Sequence, residues 1–160
     1  MSFVVRAAEP ADAPAIVRLI KALADYEKLR HLLENDAERV KETLFAPNPK
    51  AFCLLAEFDG QPVGYAIWFY SYSTFVGRHG IYLEDLFVRP EHRGKGIGSA
   101  FLKALAARCI AESLPRLEWT VLDWNEPSVG FYRSLGAAEL NEWKLFRLEG
   151  GALSKLGVGS

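Results

Sequence analysis

The chain has 160 residues, the length of one domain, and its 19 basic and 20 acidic side chains leave a formal net charge of −1. Half of the residues are hydrophobic and 24% are charged, which excludes a disordered protein. The even charge balance provides no general attraction for nucleic acid or an anionic membrane, so binding of an anionic group must depend on a local feature.

The cysteines indicate the compartment, and the histidines imply no metal centre. Cys53 and Cys109 are too few and too far apart for a disulfide scaffold or a zinc site. The three histidines, His31, His79 and His92, lack metal-ligand spacing, so we expect no metal. Charged residues interrupt the N-terminal segment, and no run reaches ~18 uninterrupted apolar residues. We therefore expect a cytoplasmic protein with reduced thiols.

The first part of the chain predicts a strand followed by two helices. A β-rich run covers Phe3 to Arg6, and proline and acids then favour the start of a helix. Apolar residues recur at helical spacing up to about Tyr26, at Ile16, Leu19, Ile20 and Leu23. A second helical pattern contains Val40 and Leu44 and ends before Pro47.

Three strands are predicted next, as a meander. Ala51 to Phe58 and Pro62 to Tyr72 flank an Asp-Gly pair, the signal of a hairpin. Ser73 to Gly80 is a predicted loop, and a fourth strand runs from Ile81 to Val88.

The second half alternates helices and strands. We expect a helix from Gly96 to about Leu114, a strand from Leu117 to Leu122, a short helix closed by Gly136, a last strand from Trp143 to Leu148, and a loosely ordered tail from Gly150 to Ser160. The order β α α β β β α β α β predicts a single α/β domain over residues 1–160, with a mixed sheet and helices on both faces.

A basic, glycine-spaced loop follows the fourth strand. The run RGKGIG from Arg93 to Gly98 does not match the G-x-G-x-x-G dinucleotide fingerprint, and it lacks the Lys-Ser or Lys-Thr ending of a P-loop. Glycines that expose amides at a helix N-terminus favour phosphate, and a pyrophosphate fits. A glycine-rich turn without function is the alternative.

These motifs resemble a known family. Arg93, Gly96 and Gly98 after a strand resemble the acetyl-CoA loop of the GNAT acetyltransferases, whose signature is Gln or Arg, two residues, Gly, one residue, and Gly or Ala. The diamine (spermidine/spermine) N-acetyltransferases are similar in the runs YLED, RGKGIGS, WNEPS and FYRSLGA, and their thialysine Nε-acetyltransferase branch in LADYEKL, YST and VLDWN. The resemblance spans Phe3 to Leu148 and implies a GNAT-like, mostly antiparallel sheet.

The resemblance implies where acetyl-CoA would bind. The backbone of Leu86, Phe87 and Val88 would hold the pantetheine arm, and one amide would polarise the thioester carbonyl. The pyrophosphate would lie against Arg93, Gly94, Lys95, Gly96, Ile97, Gly98 and Ser99. Asn125 and Tyr132 would flank the thiol end.

The resemblance also implies catalytic and substrate-side residues. Tyr132 would protonate the leaving thiolate, because a phenol with a pKa near ~10 is protonated at neutral pH; a core aromatic is the alternative. Glu84 would face the amine and accept its proton or anchor it, and Asp85, Tyr26, Glu27 and Glu142 would be substrate-side. Neighbouring strand residues point to opposite faces, so at most one of Glu84 and Asp85 should face the cofactor side directly.

The expected function is acetyl-CoA-dependent acetylation of a small cationic primary amine, such as a diamine, polyamine or lysine analogue. Both cysteines lie in apolar patterns, which favours direct attack in a ternary complex over a cysteine acyl-enzyme. A protein or peptide amine is an alternative acceptor, and a non-catalytic CoA-binding module or a nucleotide-binding module are alternatives of another class. The resemblance also suggests a homodimer, to which the aromatic run from Trp68 to Tyr72 could contribute.

Overall fold

The computed structural model describes residues 2–158, which contain five strands and five α-helices. The strands are β1 (Phe3–Ala7), β2 (Phe52–Phe58), β3 (Gln61–Ser73), β4 (Arg78–Val88) and β5 (Leu117–Trp119). The helices are α1 (Ala13–Tyr26), α2 (Ala37–Leu44), α3 (Ile97–Glu112), α4 (Glu126–Ser134) and α5 (Gly150–Val158). Short 3₁₀ turns at Pro10–Asp12, Arg30–Leu32 and Pro90–His92 precede α1, α2 and α3.

One sheet contains the five strands in the order β1-β2-β3-β4-β5. Neighbours from β1 to β4 are antiparallel, whereas β5 is parallel to β4. The predicted mixed, mostly antiparallel sheet is therefore confirmed, as is the β2–β3–β4 meander. Asp59 and Gly60 adopt positive φ angles of 51° and 76° in the β2–β3 turn, the conformation that a two-residue hairpin requires.

The sheet is covered on both faces within the first 122 residues. On one face, α1 and α2 pack their apolar stripes against β2, β3 and β4, with Tyr65 and Phe87 in the shared core. Gly64 points to the opposite face, because neighbouring strand residues alternate, and a Cβ there would lie 3.4 Å from the Phe101 ring of α3. The helix α3 therefore covers the second face.

A register shift in β4 separates two parts of that strand. Trp68 of β3 is opposite Leu83, but the next residue, Ile67, is opposite Asp85. Glu84 is therefore the extra residue of a β-bulge. Beyond the bulge, the alternation of backbone amides between the two edges of β4 is shifted by one residue.

Contacts divide the chain into two compact units, Met1–Leu122 and Asp123–Ser160. In the second unit α4 ends in a complete Schellman motif: Gly136 N–H donates to the Arg133 carbonyl at 3.0 Å, and Ala137 N–H donates to the Tyr132 carbonyl at 3.3 Å. Gly136 has a φ of 89°, which confirms its predicted role at the end of this helix.

The C-terminal segment differs in secondary structure from what the sequence predicts. The strand predicted from Trp143 to Leu148 is wrong, because no strand pairs with this segment within residues 2–158 and its backbone is irregular. Gly150–Val158 forms α5, a helix that the sequence did not predict, and all of its residues are exposed; Gly159 and Ser160 lie outside the described residues.

Two boundaries also differ from their predictions. The strand expected from Leu117 to Leu122 is only the three residues of β5, which end where pairing with β4 ends. The loop expected from Ser73 to Gly80 is shortened to residues 74–77, because β3 and β4 continue to pair as far as Ser73 and Arg78.

Candidate active site

The C-terminal half of β4 has an open edge. In the described part of the chain, β5 pairs with β4 only from Ile81 to Leu83. Arg89 N–H donates to the Val63 carbonyl of β3 at 2.9 Å, so by strand alternation Phe87 also bonds towards β3. The amides of Leu86 and Val88 then point to the open edge. The bulge at Glu84 determines that these two amides, and not that of Phe87, point to the open edge. Two amides on one edge suit the binding of an extended amide-containing arm.

The glycine loop leads directly into α3. Gly94 and Gly96 have φ angles of 78° and 87°, and a Cβ at either position would meet nothing within 4 Å. Glycine is therefore needed there for backbone conformation. The first intrahelical bond runs from Ala100 N–H to the Gly96 carbonyl at 2.9 Å, which leaves the amides of Ile97, Gly98 and Ser99 without partners inside the helix. These amides and the helix dipole suit a phosphate.

Two basic side chains of this loop, Arg93 and Lys95, contact other elements of the fold. Arg93 Nε donates to the Val88 carbonyl at 2.9 Å, and its guanidinium lies 4.7 Å from the centre of the Tyr26 ring. Arg93 thus connects the open strand edge with the C-terminal end of α1, a contact that the sequence did not predict. Lys95 Nζ lies 4.2 Å from the centre of the Phe58 ring.

Asp85 lies on the face of β4 that α1 and α2 cover. Its Oδ2 accepts a hydrogen bond from the Tyr65 hydroxyl at 3.3 Å. Burial and the neighbouring charge of Glu84 raise the pKa of Asp85 to about 6, with a smaller contribution from Glu27. The pKa of the Asp85 carboxyl is therefore closer to neutral pH than that of an exposed aspartate.

The other predicted substrate-side acids differ in exposure. Glu84, at the bulge, is exposed. Glu27 follows the last residue of α1, Tyr26, and is partly buried, which raises the pKa of its carboxyl. Both Tyr26 and Glu27 belong to the same structural unit as Asp85, and the charge of Glu27 acts on Asp85.

Three predicted site residues belong to the second unit. Asn125 precedes the first residue of α4 and is a buried polar side chain, 8% exposed. Tyr132 lies two turns further along α4, partly buried, with its ring 5.6 Å from that of Phe131. Glu142 is exposed in a turn after the helix.

The first unit thus brings together the open edge of β4, the glycine loop, the end of α1 and Asp85. Sequence reasoning missed two contacts within this group, those of Tyr65 with Asp85 and of Arg93 with Tyr26. Tyr65 could have been paired with Asp85 from the register, because its partner Phe87 is two residues from Asp85 and shares its face. The sequence alone did not fix that register.

Comparison with known proteins decides the family. The model of the acetyltransferase (GNAT) family matches residues 16–137, about three quarters of the chain. The chain belongs to the GNAT acetyltransferases. It is 41% identical to the thialysine N-epsilon-acetyltransferase of Bos taurus, covering 98% of both chains. It is 28% identical to the L-ornithine N5-acetyltransferase NATA1 of Arabidopsis thaliana, over 95% of this chain and 86% of that protein.

A solved structure shares the GNAT fold of this chain. The integron cassette protein VCH_CASS6, from the mobile metagenome of V. cholerae, superposes with a TM-score of 0.83 at 25% identity and covers 99% of each chain.

GNAT acetyltransferases use acetyl-CoA in general. In this GNAT chain the left-handed glycines, the free amides at the start of α3 and the open edge of β4 fit an elongated ligand with a pyrophosphate and an amide-containing arm. None of the helices described is both long and apolar enough to cross a membrane. Residues 2–158 contain no group of three His, Cys, Asp or Glu side chains that could hold a metal ion.

Proposed function

We propose that this GNAT enzyme uses acetyl-CoA to acetylate the terminal primary amine of a small cationic molecule, most simply a lysine analogue or another basic amino acid, with diamines and polyamines as related acceptors. The observation that carries this proposal is on β4, where the two carboxylates of Glu84 and Asp85 directly precede an open edge of amides that ends at Val88. The two similar acetyltransferases are named for thialysine and L-ornithine, and both names specify a side-chain amine.

The cofactor-side residues act by binding and polarisation. Acetyl-CoA supplies an activated acetyl thioester. Leu86 and Val88 hold its arm by strand-like hydrogen bonds, and one of these amides donates to the acetyl carbonyl oxygen. The loop from Arg93 to Ser99 receives the pyrophosphate, and Asn125 supports the thiol end.

The substrate-side residues handle charge and protons. An ammonium group cannot attack a thioester until it loses a proton, so a carboxylate close to it serves both attraction and deprotonation. Glu84 and Asp85 supply these carboxylates, and Tyr26, Glu27 and Glu142 hold the rest of the acceptor. Tyr132 gives its phenolic proton to the leaving thiolate, whose basicity is comparable with its own.

The two buried thiols support direct transfer to the amine. Burial raises the pKa of Cys53 to about 12, and burial also raises the pKa of Cys109. A cysteine nucleophile reacts as a thiolate, so neither thiol suits an acyl-enzyme. This supports direct attack of the amine on the thioester in a ternary complex.

Residues 1–160 act as one acetyltransferase domain, and the enzyme works in the cytoplasm, where its free thiols would stay reduced. It is also a homodimer. Large apolar side chains are exposed along the segment 140–158, among them Trp143 and Phe146 at 71% and 88%, and a second copy of the chain would cover them.

The acceptor is tested by measuring CoA thiol release from acetyl-CoA with purified protein. The panel contains thialysine, lysine, ornithine, diamines, spermidine and lysine-containing peptides. We expect kcat/KM to be at least about tenfold higher for a small amine than for any peptide, because Tyr26, Glu27 and Glu142 are proposed to hold the rest of a small acceptor, which a peptide lacks. Higher values for peptides would make the protein-acceptor alternative correct, and tight CoA binding without release for any amine would indicate a binding module.

A further inference from the structure

Tyr65 places a phenol in the middle of the apolar core. The residue is fully buried, at 0% exposure, between α1 and β4, with its ring 6.3 Å from that of Phe87. A phenylalanine would fill the same space without a polar atom. The hydroxyl donates to Oδ2 of Asp85 at 3.3 Å, which satisfies it. The polar end of this core side chain is therefore directed at Asp85, one of the proposed substrate-side acids.

Tyr65 can act on Asp85 only as a proton donor. Burial and the nearby charge of Asp85 raise the pKa of the phenol well above its usual value, so the hydroxyl stays protonated throughout the working pH range. A hydrogen bond from such a donor favours the carboxylate over the neutral acid.

The other groups around Asp85 come from three elements, and the two charged ones act in the opposite sense. Glu84 on β4 and Glu27 at the end of α1 carry like charge, which disfavours ionisation of Asp85. Cys53 on β2 is a neutral thiol because its pKa is about 12. Burial acts in the same direction as the two glutamates. Tyr65 is thus the group on β3 that opposes them.

We propose that Tyr65 is a positioning residue for acetyl transfer: its hydroxyl holds the Asp85 carboxyl on the α1 face of β4 in the ionised form that binds the cationic amine and accepts its proton. This inference rests on the proposed function, because it assumes that the amine arrives on that face.

The sign of the effect follows from the hydrogen bond. Without the hydroxyl, Asp85 keeps its burial and both like charges but loses the donor that favours the carboxylate. Its pKa should then rise above about 6. In the plot of kcat/KM against pH, the acid limb should move to higher pH by about half to one pH unit, the amount expected for one neutral hydrogen bond. At a pH well above the acid limb, Tyr65→Phe should retain most of the wild-type activity.

The test compares Tyr65→Phe with Tyr70→Phe. Tyr70 lies on the same strand, and its hydroxyl donates to Glu112 of α3 at 2.7 Å, so both variants lose one bond from a tyrosine to a carboxylate. Two measurements are made on each protein: the pH profile of kcat/KM with the best acceptor, and the titration of the Asp85 carboxyl carbon by NMR without substrate. Amide spectra confirm that each variant is folded.

In Tyr65→Phe, we expect the acid limb and the Asp85 titration both to move to higher pH by the same amount. In Tyr70→Phe, both should stay at wild-type values. Asp85→Asn should remove the acid limb. Superimposable titrations for Tyr65→Phe and wild type would overturn the role of Tyr65, as would an acid limb that survives in Asp85→Asn. If no amine supports turnover, the proposed function fails, and the NMR titration still decides whether Tyr65 controls Asp85.

Discussion

Tyr132 is proposed to protonate the leaving thiolate, and removal of its hydroxyl tests that role. Tyr132→Phe keeps the ring, and with it the partly buried packing in α4, but has no proton to donate. We expect kcat to fall by about 10²-fold while the Kd for acetyl-CoA changes little, since general acid catalysis typically contributes that much to a rate. Stopped-assay kinetics and calorimetric titration with acetyl-CoA measure the two quantities. An unchanged kcat would remove Tyr132 from the mechanism.

At the scale of elements, the conformation of the loop before α3 should control cofactor binding. Gly96 has a φ of 87°, so Gly96→Ala strains the backbone at the residue that precedes α3. This strain should disturb the alignment of the free amides in the first turn of the helix. We expect acetyl-CoA to bind about tenfold more weakly, because part of the alignment of those amides is lost.

The matched control for Gly96 is Gly77 in the β3–β4 turn. Its φ is 72°, and a Cβ there also meets nothing within 4 Å, so Gly77→Ala imposes a similar backbone strain far along the chain from the loop. Both variants should lose a similar amount of thermal stability, about 1–2 kcal/mol, but only Gly96→Ala should lose affinity in calorimetric titration. Equal affinities in the two variants would exclude the loop as the pyrophosphate site.

The elements that the sequence predicted well carry a signal that depends on their own residues. The stripe of α1, the Asp-Gly hairpin and the glycine at the end of α4 each specify local geometry. The predicted strand at Trp143 was wrong because an alternating pattern forms a strand only when another strand pairs with it. The short β5 has the same cause, since its partner β4 pairs over three residues.

The candidate site was predictable in its motifs and less so in its contacts. The glycine loop and the acids of β4 stand out in the sequence because their residue types are unusual in those positions. The bulge at Glu84 is a matter of strand pairing, and it decides that Leu86 and Val88, rather than Phe87, present their amides at the open edge. No spacing rule within β4 alone predicts such a shift.

At the scale of the whole molecule, the exposed apolar segment predicts self-association. Phe146→Asp should convert a dimer into a monomer, because a charge in a buried apolar interface is costly. Phe75→Asp is the control: Phe75 is 94% exposed in the β3–β4 turn, outside this segment, and its variant should remain dimeric. Light scattering after size-exclusion chromatography measures both. A monomeric wild type, or a dimeric Phe146→Asp, would contradict the assignment of this segment to the interface.

The whole account depends on an amine receiving the acetyl group. The most direct measurement incubates the wild-type protein with acetyl-CoA, with and without thialysine, and follows free CoA together with the mass of the amine. We predict CoA release that requires thialysine and equals the amount of product acetylated on the side-chain amine. CoA release that is independent of every small amine tested, or absent with all of them, would contradict it.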